Sequence, residues 1–176
     1  MGHDRGEGEC PGGGTILSPA VADTLCRMDH TILTVNDSSR ARLEQLVANL
    51  EEGDFRQPVG GGEWTVAMGL AHLAYWDRRG KLILDRWSQG SVPPPDGPDW
   101  FTDLLNDALV PEWQAIPHHD AARLALEAAK AVDAAVAGLA DSVAADITAR
   151  GQIRRLARSM HRSEHLAEIE RALGRF

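Results

Sequence analysis

A chain of 176 residues, 43% of them hydrophobic, is long enough for one domain with a sizeable core and too short for two ordinary ones. Its formal charge of −8, from 26 acidic against 18 basic residues, argues against non-specific nucleic-acid binding, which depends on neutralising phosphates. No apolar run reaches a membrane span and the start, MGHDRGEGECPGGG, lacks the basic-then-apolar order of a secretion signal, so the expected compartment is the cytoplasm.

Residues 1–28 read as a flexible N-terminal extension: the first fourteen are glycine-rich with little apolar surface to offset ordering entropy, and 19–28 can form a short helix. The remainder, 29–176, reads as one domain. Its first long helix is expected to open at Asn36, Asp37 and Ser38, all good N-caps, to carry Leu43, Leu46, Val47 and Leu50 on one face, and to stop near Gly53. DFRQPVGGG, residues 54–62, is a loop. A second helix follows Thr65 as N-cap, with Val66, Leu70, Leu73, Trp76, Leu82 and Ile83 buried and Gly69 and Gly80 pointing to close packing or a ligand. The proline-rich SQGSVPPPDGPDW is a long crossover into a third helix over 99–115, which Pro111 should kink or end early. A fourth helix is expected over 121–140, capped by Asp120, and a last one over 147–173 with Gly151 as a weak point. No segment alternates like a strand, so the fold class is all-α, a four-helix bundle with a long connection.

Cys10 and Cys26, the only cysteines, form no disulfide framework and carry no mark of reactivity. Arg150, Arg154, Arg155, Arg158 and Arg162 form a basic run that one helical face could present to an anionic ligand or, better, to a neighbouring acidic helix. The five tryptophans, Trp64, Trp76, Trp87, Trp100 and Trp113, read as core and helix-junction residues.

The histidines carry the chemistry. His161 and His165, in HRSEHLAEIERAL, are four residues apart and so only about 40° apart around a helix, which lets both imidazoles converge on one ion. Flanking Ile153, Leu156, Met160, Ile169 and Leu173 suggest that the pair faces inward. A third donor is His72, between Leu70 and Leu73 and one turn before Trp76, which places Trp76 beside the ion. A lone histidine on an apolar face is usually a core residue bonded to a carbonyl. Three inward imidazoles without partners would be costly to bury, and one shared cation satisfies them all. Asp77 and Glu164 could orient an imidazole from behind. His30 could line the bundle mouth, while His3, His118 and His119 read as solvated.

SRARLEQLVANLEEGDFRQPVGGGEWTVAMGLAHLAYWDRR resembles the opening helix pair of the DinB-like superfamily, which includes the N-terminal domain of mycothiol-dependent maleylpyruvate isomerase. HRSEHLAEIERAL is similar to the family's terminal helix. The resemblance covers about a third of the chain; the middle matches only in being helical. It implies a four-helix bundle holding a divalent metal, often zinc or nickel, through three histidines, here His72, His161 and His165. It also implies an S-transferase or isomerase that uses a low-molecular-weight thiol such as mycothiol or bacillithiol, without the isomerase's additional C-terminal domain.

The expected function is therefore a divalent-metal-dependent thiol S-transferase acting on a small electrophile, because three histidines leave a coordination position open. A metal-dependent hydrolase uses the same site. Trp76 and Arg158 are the candidate substrate contacts, Arg158 or Arg154 holding a carboxylate. The alternatives are a bundle that sequesters an apolar small molecule, as self-resistance proteins do, and a helical interaction module. Neither nucleic acid nor membrane is an expected partner, and a homodimer is compatible with each reading.

Overall fold

A computed structural model describes residues 19–175, with side chains from residue 30 onward. Residues 1–18, with His3 and Cys10, and the Cys26 side chain lie outside the described part. The described residues form six helices, α1 (Pro19–Ala48), α2 (Val66–Ser88), α3 (Asp99–Ala115), α4 (His118–Ala137), α5 (Asp141–Ala149) and α6 (Arg158–Ala172), with short 3₁₀ turns at Asp54–Arg56 and Ile153–Arg155. Among them there is no strand, only an isolated antiparallel bridge between Pro58 and Thr65. The fold is all-α, as the apolar periodicity requires.

Helices α1, α6, α2 and α4 close a four-membered ring, each packed on the next, while α3 lies against α2 and α5 sits near the turn before α6. The tightest pair is α2 with α4. Its α4 face is almost all alanine, with Ala121, Ala122, Ala125, Ala128 and Ala129 buried, so the two backbones approach closely. On α2, a Cβ at Gly69 would lie 3.4 Å from the Ile169 side chain, and one at Gly80 would lie 3.5 Å from Val132 and Arg158. Those are ordinary contact distances, so both glycines lie at packed helix faces that would still accept a methyl group.

The core has two apolar clusters along the bundle. The larger joins Leu43, Leu46, Leu70, Leu73, Trp113, Ala125, Leu166 and Ile169; the smaller joins Leu84, Trp87, Val132, Ile147 and Leu156. Between them runs a buried polar layer. Arg162, fully buried, donates to Asp77 on α2 (3.1 Å), to Asp133 on α4 (3.0 Å) and to Ser39 on α1 (2.8 Å). Arg158 donates to Asp77 at 3.0 Å and Arg40 to Asp133 at 3.2 Å. The arginine run does meet acidic neighbours, but it runs from the residue after α5 through a 3₁₀ turn into α6 rather than along one helical face, with Arg150 on Asp146 and Arg154 on Glu164.

Several boundaries differ from expectation. α1 begins at Pro19 and runs unbroken through Asn36, Asp37 and Ser38. Asn36 caps a different helix: its Oδ1 accepts from Ser159 N (2.9 Å) at the start of α6 and its Nδ2 donates to Leu156 O (2.8 Å). α3 continues past Pro111, which sits on the exposed side where the unpaired carbonyl one turn back can face water. α4 starts at His118, placing Asp120 inside the first turn, where its charge favours the helix N-terminus. The expected 147–173 helix is broken, because Gly151 adopts φ +70 and the chain turns before α6. Leu82 and Trp100 are exposed, at 62% and 65%, rather than buried, and Met160 also faces outward. Thr65 caps α2 as expected, accepting from Met68 N at 3.3 Å. No helix of the described residues is long and apolar enough to cross a membrane.

Candidate metal centre

His72 comes from the buried middle of α2, and His161 and His165 from successive turns of α6, which packs on α2. One candidate ligand atom from each of the three lies within 4.8 Å of the others. The Nε2 atoms of His72 and His161 are 3.1 Å apart, and the ring centroids lie 4.4 Å (His72 to His165), 4.7 Å (His161 to His165) and 5.1 Å (His72 to His161) apart. The structure thus brings together the three histidines singled out from the sequence.

The surroundings are aromatic. Trp64 and Trp113 stand 5.0 and 5.1 Å from the His72 ring, and Trp76 lies 6.2 Å from His72 and 6.3 Å from His161. Trp76 is fixed by donating to Asn106 Oδ1 on α3 (3.1 Å), with the Arg79 guanidinium 5.1 Å from its ring centroid. Burial, followed by the charge of His165, pushes the His72 imidazole down to about 3. Burial also drives His161 well below its ordinary value, reinforced by the charges of His165, His72, Arg158 and Arg154. Both rings are therefore neutral at physiological pH and present lone pairs, the form in which imidazole binds a metal.

Chemically the cluster suits a cation. A neutral imidazole pair shares one hydrogen bond, whereas three ring nitrogens aimed at one region present lone pairs that a divalent ion takes up together. An Nε2 separation of 3.1 Å is close to the edge of a tetrahedron about a zinc-class ion, about 3.3 Å for bonds of roughly 2.0–2.1 Å. The residues present fit the group.

The supporting acid is not the expected one. Asp77 is committed to Arg158 and Arg162, and Glu164 pairs with Arg154. The carboxylate that meets an imidazole is Glu168, 3.0 Å from His165 Nδ1, which leaves Nε2 for the cluster. Its position three residues after His165 was the available signal. Arg158 is only 11% exposed, so it does not lie on a solvated face. His30 is exposed and contributes no ring to the cluster. His119 is solvated as expected, at 74% exposed, whereas His118 is only 28% exposed, and both also meet Glu52. Two surface grooves, one of about 400 Å³ between α1 and α6 lined by Val35, Arg42 and Met160, and one beside Ile32 and Val136, do not include the cluster.

A family model of the DinB superfamily matches residues 36–169, from the middle of α1 to the last turn of α6. The chain belongs to the DinB superfamily. No curated protein and no solved structure matches it. The matched span contains all three histidines, so the DinB assignment and the histidine geometry concern the same part of the molecule.

Proposed function

We propose that this chain is a divalent-metal-dependent enzyme, a thiol S-transferase that joins a low-molecular-weight thiol of the mycothiol or bacillithiol type to a small electrophile. The observation that carries the reading is the donor set. Three imidazole nitrogens converge, and no fourth histidine, cysteine or carboxylate atom joins them among the described residues. A structural site is closed by four protein ligands, whereas a three-ligand site keeps a position for a reactant. His72, His161 and His165 would hold the ion, zinc or nickel by ligand preference. Bound there, it supplies Lewis acidity that makes a thiol or a water acidic at neutral pH.

The remaining roles fall to this chain's own side chains. His72 is buried, while His161 and His165 are partly exposed, so reactants approach from the α6 side. Trp76, braced by Asn106, is the apolar wall against which an electrophile is held. Arg158 and Arg154 supply positive charge that is felt at His161 and would attract the carboxylate of a thiol or substrate. With an epoxide, a sulfur–carbon bond forms, a carbon–oxygen bond breaks, and the thiol proton ends on the new hydroxyl.

The test is turnover of epoxide and halide electrophiles with mycothiol or bacillithiol by metal-loaded protein. Loss of activity on metal removal and in His72→Ala supports transfer; product formation at equal rates without thiol would mean hydrolysis. Sequestration is the second reading, supported by the aromatic walls of Trp64, Trp76 and Trp113. It predicts ligand binding that survives replacement of all three histidines, with no turnover.

A further inference from the structure

Away from the core cluster, the turn after α1 and the start of α4 bring together a second set of metal-binding side chains. His118 Nε2 lies 3.0 Å from Glu52 Oε1, and His119 Nε2 lies 3.2 Å from Glu52 Oε2. Candidate ligand atoms of the three residues lie within 4.8 Å of one another. Consecutive helical side chains diverge by about 100°, so two neighbouring imidazoles do not ordinarily share a target. Here both rings rest on Phe55, a buried residue of the intervening 3₁₀ turn, at 4.8 and 5.1 Å between centroids, and 4.5 Å from each other. That seat turns both Nε2 atoms toward the same carboxylate.

We propose that Glu52, His118 and His119 form a second divalent-cation site, of the zinc class, that ties the chain leaving α1 to the start of α4. Two imidazoles and one carboxylate suit zinc, nickel or cobalt, whereas calcium and magnesium sites are built from oxygen. Measured to one oxygen, Glu52 Oε2, the His118 and His119 Nε2 atoms lie at 3.1 and 3.2 Å, close to the roughly 3.3 Å edge of a tetrahedron with bonds of about 2.0–2.1 Å. The site shares no residue with His72, His161 and His165. It is also weaker: the Glu52 side chain is 61% exposed and His119 74% exposed, so binding must further order side chains that are largely in solvent. Arg56, 3.7 Å from Glu52 Oε1, competes for the carboxylate. The link closes a segment that leads through Val59 to Trp64, whose ring stands against His72, so occupancy stiffens one wall of the core cluster.

The test is calorimetric titration of the metal-depleted, untagged full chain with Zn²⁺, compared with His118→Ala, Glu52→Gln and His72→Ala. The expected result is a second, weaker binding event in the wild-type chain, weakened at least tenfold in His118→Ala and in Glu52→Gln but kept in His72→Ala. Glu52→Gln preserves size and lies on the surface, so it removes the ligand without endangering the fold. A second event unchanged in both His118→Ala and Glu52→Gln overturns the proposal, as does a wild-type chain with no event beyond the one lost in His72→Ala. Because His72→Ala is scored separately, the result stands whether or not the core cluster takes up metal.

Discussion

At His72 the physical chemistry of burial and that of metal binding coincide. In the unfolded chain its imidazole titrates near the ordinary 6.5, and in the fold only near 3. Between those values the unfolded chain takes up a proton that the folded chain refuses, so acidification favours unfolding. Above 6.5 neither state is protonated and the group is silent. The cost is about 1.4 kcal/mol per pH unit for this residue alone. Metal-free protein should therefore lose resistance to urea as pH falls from 6.5 to 4, and His72→Gln should flatten that limb; an unchanged slope in the variant would contradict the assignment. Glu168 makes a separate prediction. Its bond to His165 Nδ1 fixes that ring, so Glu168→Ala should weaken zinc binding by about 10- to 100-fold while leaving the helical spectrum unchanged, because this carboxylate is partly exposed and outside the core. Metal-competition titration reads the difference directly.

At the scale of the helices, the buried ion layer sets how α6 sits on its neighbours. Arg162 lies beside His161 in sequence and reaches Asp77, Asp133 and Ser39, so it fixes α6 against α2, α4 and α1 at the level of the cluster. Arg162→Met removes the shared cation from two buried carboxylates, and the expected loss is about 3–5 kcal/mol by urea unfolding. A loss below 1 kcal/mol would mean that Arg158 and Arg40 carry the layer alone. The helices best anticipated were those with local signals: the Thr65 cap of α2, the proline-rich entry to α3 and the break before α4. The misreadings involve groups whose partners lie far along the chain. Asn36 has ideal capping chemistry, but it spends that chemistry on residues 156 and 159, and sequence spacing cannot reveal this. Gly151 was visible as a weak point, yet whether it bends a helix or ends it depends on the backbone sign it adopts.

For the molecule as a whole, the all-α bundle was legible because apolar periodicity is a local property, and the histidine triad because four-residue spacing places two ligands on one face. The third ligand could be named because His72 lies on an apolar face of another helix. What the sequence hid is pairing across the fold, as with Glu52 beneath His118 and His119, a contact made by a turn whose geometry depends on the packed core; Glu168, three residues after His165 on the same helix, was a local signal passed over in favour of Asp77 and Glu164. Belonging to the DinB superfamily gives the architecture, while the chemistry rests on the three imidazoles. The most direct test of that claim is elemental analysis of untagged wild-type protein beside His72→Ala and His161→Ala. Near one equivalent of zinc or nickel per chain, resistant to dialysis in wild type and absent from both variants, is the predicted result; wild-type protein that stays metal-free after incubation with those ions, or variants that retain the full equivalent, would contradict it.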